Sequence, residues 1–523
     1  YINEPFPDKP AKIHRHLTRE ELHRFFRAAD EAVLLENPDR VIKAVDGDYD
    51  PPAPGLPDNH CYCGWYNGHG IALGKLHRGY WQRVKPDWYY ACGEYGAEGL
   101  ESIEMMRRHY PAHWLPECEE DEATWTPNAI VQAQTGNYYP VWFVRPNTLE
   151  GWIERSQAHQ AWATQIMTEA FRRDPRMVSF AIHLGIDAFP AGWMKAIMDC
   201  ERRPKPAYFA YRRALEPLMV SLRSDRRFLS AGETVDTEVW LCNDTPYAYE
   251  KLSLKFFLKD QEGGIFLRGQ EARLSIREND SACVGKIRFE TPLVDSRREI
   301  TLQAVLFDEK NQGMNHSEIH FSLFPEDRHP DISVCAWGTD AETLIKISGG
   351  NPLSLNALPS TGVLLVSDLY QYEEHRDEVD ELLNEGLRVV FLNLPQGSHT
   401  VAGEEVGVDE CHFHPVIFLS PRTEHPWTLE FRDDDFFFWY GEEMDYTVPL
   451  ASTFLEVDDS FRSILETGDI RWGRPFHPEY YRPVAAEKGV GLGRIVLCQV
   501  PMKRTLRYNP PAMRFFRNLL TME

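Results

Sequence analysis

The sequence predicts three successive folds in one chain, α/β, then all-β, then α/β again, and three observations carry that prediction. Over residues 1–216 short apolar runs alternate with helical patterns, the mark of repeated βα units around a parallel sheet. Near Leu218 the apolar period shifts to two and holds for most of residues 217–325, as in a β-sandwich, here expected to be immunoglobulin-like. After the proline-flanked link 324–330 the α/β alternation returns over 330–523, predicting a second parallel-sheet domain. A chain of 523 residues is long enough for three such domains, each burying its own core.

Composition narrows the function classes. At 43% hydrophobic and 26% charged the chain is globular, and no stretch approaches the ~20 apolar residues that a membrane helix needs. The net charge of −24 opposes phosphate backbones and anionic lipid, so neither nucleic acid nor membrane is expected as a partner. Ten cysteines without a Cys-x-x-Cys pair indicate neither a zinc ribbon nor a disulfide framework, and Cys61 and Cys63 read as buried thiols. The chain opens at Tyr1 with no signal-like run, and the compartment stays undecided.

In the first region, Thr18 and Glu21 form a capping box for a helix over 18–36 whose Leu22, Phe25, Phe26, Ala29, Val33 and Leu34 share one stripe. Strands are expected at 41–45, 61–65, 88–92 and 178–184, with helices near 73–84, 148–173 and 206–215. In the second region, strands follow Val235 to Leu241, Leu252 to Leu258, Ala282 to Phe289, Thr301 to Phe307 and Ile319 to Leu323. The third has strands at 361–366, 387–394 and 494–500, and helices near 374–385 and 511–520.

Chemistry concentrates at two strand ends. Asn3-Glu4-Pro5 and Gly93-Glu94-Tyr95-Gly96-Ala97-Glu98-Gly99 each place a carboxylate where (β/α)8 barrel enzymes keep their catalytic groups. The interval from Glu4 to Glu94 fits three βα units of about 30 residues, so both would sit on one rim. Two carboxylates flanking a glycosidic oxygen are what glycoside hydrolysis requires.

These residues, together with Cys61-Tyr62-Cys63-Gly64-Trp65-Tyr66 ahead of Gly68-His69-Gly70, resemble glycoside hydrolase family two, in particular its β-glucuronidase and β-galactosidase branches. The resemblance covers about residues 1–216 and implies the C-terminal half of a TIM barrel, strands four to eight, with three earlier strands needed to complete it. It implies Glu4 as acid/base, Glu94 as nucleophile of a retaining double displacement, Asn3 as ligand of the sugar 2-hydroxyl, and Tyr62 as hydrogen-bond donor to the nucleophile. Trp65, His183, Trp193 and Lys195 complete the expected sugar-binding set, Trp65 with Cys92 and Tyr95 by packing around it. Two departures stand out. The glucuronidase Asn-x-Lys is reduced to Trp193-Met194-Lys195, and the eighth strand carries His183 without the tryptophan that floors the sugar site. Either His183 or Trp193 takes its place, or both serve in packing.

The long stretch 110–147 is rich in aromatics, and either walls the pocket or forms a satellite hydrophobic cluster. Asp46-Gly47-Asp48-Tyr49-Asp50 fails as a calcium loop, because Pro51 stands where the turn glycine belongs, although one aspartate could touch a sugar hydroxyl. Gly489-Val490-Gly491-Leu492-Gly493 precedes a strand and reads as a hairpin turn. The last domain resembles class I glutamine-amidotransferase-like domains, but its strand 387–394 runs into Pro395-Gln396-Gly397 with no nucleophilic cysteine, which implies packing or homo-oligomer formation. The expectation is a retaining, exo-acting β-glycosidase on terminal β-linked sugars, with carbohydrate as partner and neither cofactor nor metal required. The competing expectation is a non-catalytic carbohydrate-binding or scaffold protein on the same fold.

Overall fold

The computed structural model describes residues 19–40, 42, 60–66, 71–79, 89–326, 333–411, 417–441, 451–468 and 481–521. Asn3, Glu4, the 46–50 segment and, apart from Ile42, the expected strand 41–45 lie outside the described residues. The described chain is a multidomain α/β plus β protein, built on a small parallel sheet, a pair of sheets sharing one core, and a mixed sheet.

Among the described residues the first region contains three parallel strands, β1 (His60–Cys61), β2 (Tyr90–Tyr95) and β3 (Met177–Ile182), in that order across the sheet. β1 is shorter than expected. The chain turns at once, with the Trp65 and Tyr66 amides both donating to Tyr62 O at 2.8 Å. The long helix Leu149–Arg173 covers the sheet. Thr148 caps it by accepting from the Gly151 amide at 3.1 Å, Glu150 lies in the first turn, and Arg172 and Arg173 lie in the last, each favourable to the helix dipole. Its buried face runs Trp152, Ser156, Gln160, Ala163, Met167 and Phe171 at spacings of three and four. The helix Arg19–Glu36 differs from expectation. Among its described side chains Phe26 is buried, while Phe25, Val33 and Leu34 are exposed.

Arg172 anchors the next region by donating to Ala214 O and Glu216 O, both at 2.8 Å, at the point where the chain leaves the helix Pro206–Ala214. Beyond it, a three-stranded sheet (Leu218–Arg223, Thr234–Asn243, Asp280–Glu290) faces a five-stranded one ordered Phe228–Ser230, Gly313–Phe324, Arg298–Phe307, Tyr249–Asp260, Ile265–Ile276. The inward positions are filled by Val220, Leu241 and Phe289 from one sheet and Leu254, Leu302 and Phe321 from the other, all in one core. Ile265–Ile276 escaped the sequence reading because it is an edge strand, mostly solvent-facing and without clean alternation.

The third region is not a wholly parallel sheet. Val334–Trp337, Val363–Val366, Arg388–Leu392 and Gly493–Cys498 are parallel, but Tyr481–Val490, Arg462–Gly468 and Ile417–Leu419 continue the seven-stranded sheet antiparallel. The two-residue turn Gly491-Leu492 imposes the reversal, with Gly491 at φ +59 and the backbone of Asn384 2.7 Å from where a Cβ would stand. Among the described residues no helix is long and apolar enough to cross a membrane.

Two arginines join the regions. Arg227 stacks its guanidinium on Phe438 (3.6 Å to the ring centroid) and Trp162 (4.8 Å). Arg297 donates to both oxygens of the fully buried Asp435, at 2.7 and 2.8 Å. Arg297→Met is expected to cost about 3–5 kcal/mol in denaturant unfolding, because it strands a buried carboxylate, while Arg297→Met with Asp435→Leu recovers most of the loss. Equal stability of the single variant and the native protein would contradict this account of the junction.

Candidate active site

Glu94 stands one residue from the C-terminal end of β2, opposite His60 in the β1 register. Strand alternation sends Tyr95 to the other face, where it is buried against Phe171 and Phe180 and shares a 2.7 Å hydrogen bond with Thr168. Glu94 is therefore left partly open, its side chain 30% exposed. Tyr62 OH donates to Glu94 Oε2 at 2.5 Å. Burial, and then this bond to a carboxylate, hold the Tyr62 hydroxyl well above the usual phenol range, so it remains a donor.

Two imidazoles flank the same oxygen, His60 Nδ1 at 3.8 Å and His183 Nε2 at 4.0 Å. His183 directly follows β3, with its edge on Trp193 (5.3 Å between ring centroids), and burial lowers its basicity against the opposing pull of Glu94. The Lys195 ammonium lies over Trp65 (4.1 Å), Trp193 (4.3 Å) and Tyr62 (5.5 Å). Desolvation brings Lys195 down to about 8, with Glu98 and then Glu94 resisting the drop. Tyr62 and His183 thus meet Glu94 directly, while Trp65, Trp193 and Lys195 pack around those two rings. Asn3 and Glu4 lie outside the described residues. Among the described residues no three His, Cys, Asp or Glu side chains cluster as a metal site would require.

A second layer fixes these groups. Trp65 stacks on Tyr66 at 4.4 Å, and Tyr66 OH donates to Gln134 Oε1 at 2.5 Å. Gln134 and Thr135 belong to the long stretch after β2, and both donate main-chain N–H groups to the buried carboxylate of Glu98. This stretch has two jobs. Gln134, Thr135 and Tyr138 back Glu98 and the Trp65–Tyr66 pair, while Trp125, Tyr139, Trp142 and Phe143 pack into a core that also takes Phe418, Phe437, Phe438 and Tyr481 from the third region. His159 of the long helix donates to Gly64 O at 2.7 Å, stacks on Trp142 at 4.8 Å, and is kept neutral by burial, which lowers it to about 4.

The loops after β2 and β3 close on each other around Gln160. Its Nε2 donates to Ala97 O (3.0 Å) and Lys195 O (3.1 Å), and the Gly99 amide donates to Met194 O (3.1 Å). A Cβ at Gly99 would stand 2.5 Å from Gln160 Oε1, so only glycine lets the backbone approach this closely.

Sequence reasoning missed His60 and the roles of Glu98, Gln134 and Gln160. A signal for His60 existed, because it lies two residues before Tyr62 and so projects to the same side of an extended chain. Nothing in the local pattern marked Gln134 or Gln160, whose roles come from contacts 35 to 68 residues away.

No protein-family profile and no curated protein matches the sequence. Among solved structures the chain is similar to a β-D-mannosidase from Dictyoglomus thermophilum, at 17% identity and TM-score 0.37 over 53% of this chain and 31% of that one. It is also similar to the exo-chitosanase CsxA of Amycolatopsis orientalis, at 14% identity and TM-score 0.37 over 50% and 30% of the two chains. A third is an FMN-binding β-glucuronidase from Facaelibacterium prausnitzii L2-6, at 15% identity and TM-score 0.25 over 60% and 40%. The chain therefore spans under half the length of each of these structures.

Gly99→Ala is expected to destabilise the protein by about 1–3 kcal/mol in urea unfolding, because Gln160 must leave its carbonyls. Gly185→Ala, which meets open space, should stay within about 0.5 kcal/mol of the native value. Equal effects at the two glycines would contradict the described packing.

Proposed function

We propose that this chain carries the catalytic carboxylates of a retaining, exo-acting β-glycosidase that hydrolyses terminal β-linked sugars. The observation that carries the reading is the Tyr62–Glu94 hydrogen bond at the end of a parallel strand, within a ring of aromatic and basic side chains. In this reading β1, β2 and β3 are the last three strands of a (β/α)8 barrel, followed by an immunoglobulin-like sandwich and a degenerate amidotransferase-like domain.

Glu94 Oε2 is oriented by Tyr62 and attacks the anomeric carbon, forming a glycosyl ester as the aglycone oxygen leaves. Glu4 protonates that oxygen and then draws a proton from the water that hydrolyses the ester, returning the sugar with its configuration retained. Asn3 binds the 2-hydroxyl, where the contact strengthens as positive charge develops on the ring. Trp193, only partly buried, gives the pocket an apolar face that suits a sugar ring, Lys195 supplies a cation beside it, and the buried Trp65 and Tyr62 rings pack behind that cation. His183 takes the place of an aromatic floor and brings an ionisable group beside the nucleophile.

Glu94→Ala is expected to lower turnover of aryl β-glycosides by several orders of magnitude, with azide partly restoring the rate and giving the product of inverted configuration. Tyr62→Phe loses one hydrogen bond to a charged group, about 1.5–3 kcal/mol, and should slow glycosylation ~10- to 100-fold. Sugar binding that survives Glu94→Ala, in a native protein that turns over no glycoside, would replace the enzyme reading with that of a carbohydrate-binding module. Unchanged turnover in Glu94→Ala would remove Glu94 as nucleophile.

A further inference from the structure

Lys195 presents a charge problem that the site must solve. It is 7% exposed and its ammonium lies against three aromatic rings, yet among the described residues no carboxylate comes within 4.0 Å to pair with it. A lone buried ammonium costs several kcal/mol unless compensating charge is fixed nearby. The backbone brings an acidic residue alongside. The Gly99–Met194 hydrogen bond and the Gln160 amide, shared by Ala97 O and Lys195 O, bring residues 97–99 alongside 194–196. Glu98 is at the centre of that junction, 3% exposed. Its carboxylate accepts from the Gln134 amide at 2.9 Å, the Thr135 amide, and Thr135 Oγ1 at 2.5 Å.

We propose that Glu98 is the positioning residue of Lys195, a buried counter-charge that keeps the ammonium ionised and seated between Trp65 and Trp193, where it faces Glu94. Three hydrogen-bond donors for one buried carboxylate are more than packing alone requires, and they favour its charged form. The long stretch after β2 supplies those donors, so its second role is to set the charge of a pocket lysine. The inference rests on the glycosidase reading only for its catalytic consequence; the charge relation stands on the junction itself.

The sign of the pH dependence follows. Burial raises Glu98 to about 7 against the Thr135 and Gln134 bonds and the Lys195 charge, and burial lowers Lys195 to about 8. Below about 7 Glu98 takes up a proton, and above about 8 Lys195 loses one, so the charged pair dominates between those values. The other ionisable groups facing the pair are Glu94, which also favours the ammonium, His183 and His60 beside Glu94, Tyr62 against the ammonium, and Tyr66, Tyr110 and Tyr138 on the Glu98 side. Removing the Glu98 charge lets Lys195 fall further.

Competitive acetylation with trace acetic anhydride across pH 5–11, read at Lys195 by peptide mass mapping, tests this on the full chain. The native protein should show a Lys195 inflection near 8, Glu98→Asp should stay close to it, and Glu98→Gln should move it down by about one unit, roughly tenfold more reactive amine at pH 7. An inflection unmoved in a folded Glu98→Gln overturns the proposal. Should Glu98→Gln fail to fold, Thr135→Ala gives the same reading. It removes a donor that favours the carboxylate, raises Glu98, and should increase Lys195 labelling at pH 7; unchanged labelling overturns the proposal. Because labelling does not require turnover, a shifted inflection in a protein that hydrolyses no glycoside would leave this inference standing while the glycosidase reading falls.

Discussion

One buried amide holds the candidate site together. The strand ends that carry Glu94 and His183 continue beyond the β2–β3 ladder into loops joined by single backbone bonds such as that from the Gly99 amide to Met194 O, and their remaining backbone polar groups must find partners or remain stranded in a dry interior. Gln160 is fully buried on the long helix and provides those partners, donating to carbonyls of both loops. Lys205 reinforces it from the far side, donating to Gly99 O at 2.7 Å while its ammonium lies 2.8 Å from the buried Glu101. Glu98 and Lys195 are where they are because these two side chains fix the backbones beneath them.

The same logic links the site to distant parts of the chain. The long helix fixes the site through Gln160 and His159, is anchored to the paired sheets through Arg172, and contacts the third region through Trp162 and Arg227. The aromatic stretch after β2 is wedged between pocket and third region, with Gln134 and Thr135 at one end and Tyr139 and Phe143 in a core shared with Phe418 and Tyr481. The third region thus acts on the site as packing, through rings that seat the donors of Glu98.

Local signals were legible and long-range ones were not. The helix Leu149–Arg173 could be read almost to the residue, since Thr148 is a cap, the apolar face keeps its three–four spacing, and arginines close the last turn. The hairpin at Gly491-Leu492 was legible from its glycines, but the antiparallel strands that follow from it were not carried into the expected parallel sheet. β1 was overextended, because the apolar run from Cys61 to Trp65 reads as a strand while Gly64 lets the chain turn tightly against Met167 and Ala163. At the site, the pairing of Tyr62 with Glu94 came from the motif resemblance, whereas His60 needed only the two-residue period. Glu98 stood within the quoted motif, but its role depends on Gln134 and Thr135, 36 and 37 residues on.

The distance between the carboxyl groups of Glu4 and Glu94 in a crystal structure tests the central claim most directly. A retaining double displacement predicts about 5–5.5 Å across an open pocket, with Tyr62 still bonded to Glu94. A separation of about 6.5–9.5 Å would make the enzyme inverting, and carboxyl groups facing different surfaces would contradict the glycosidase account altogether.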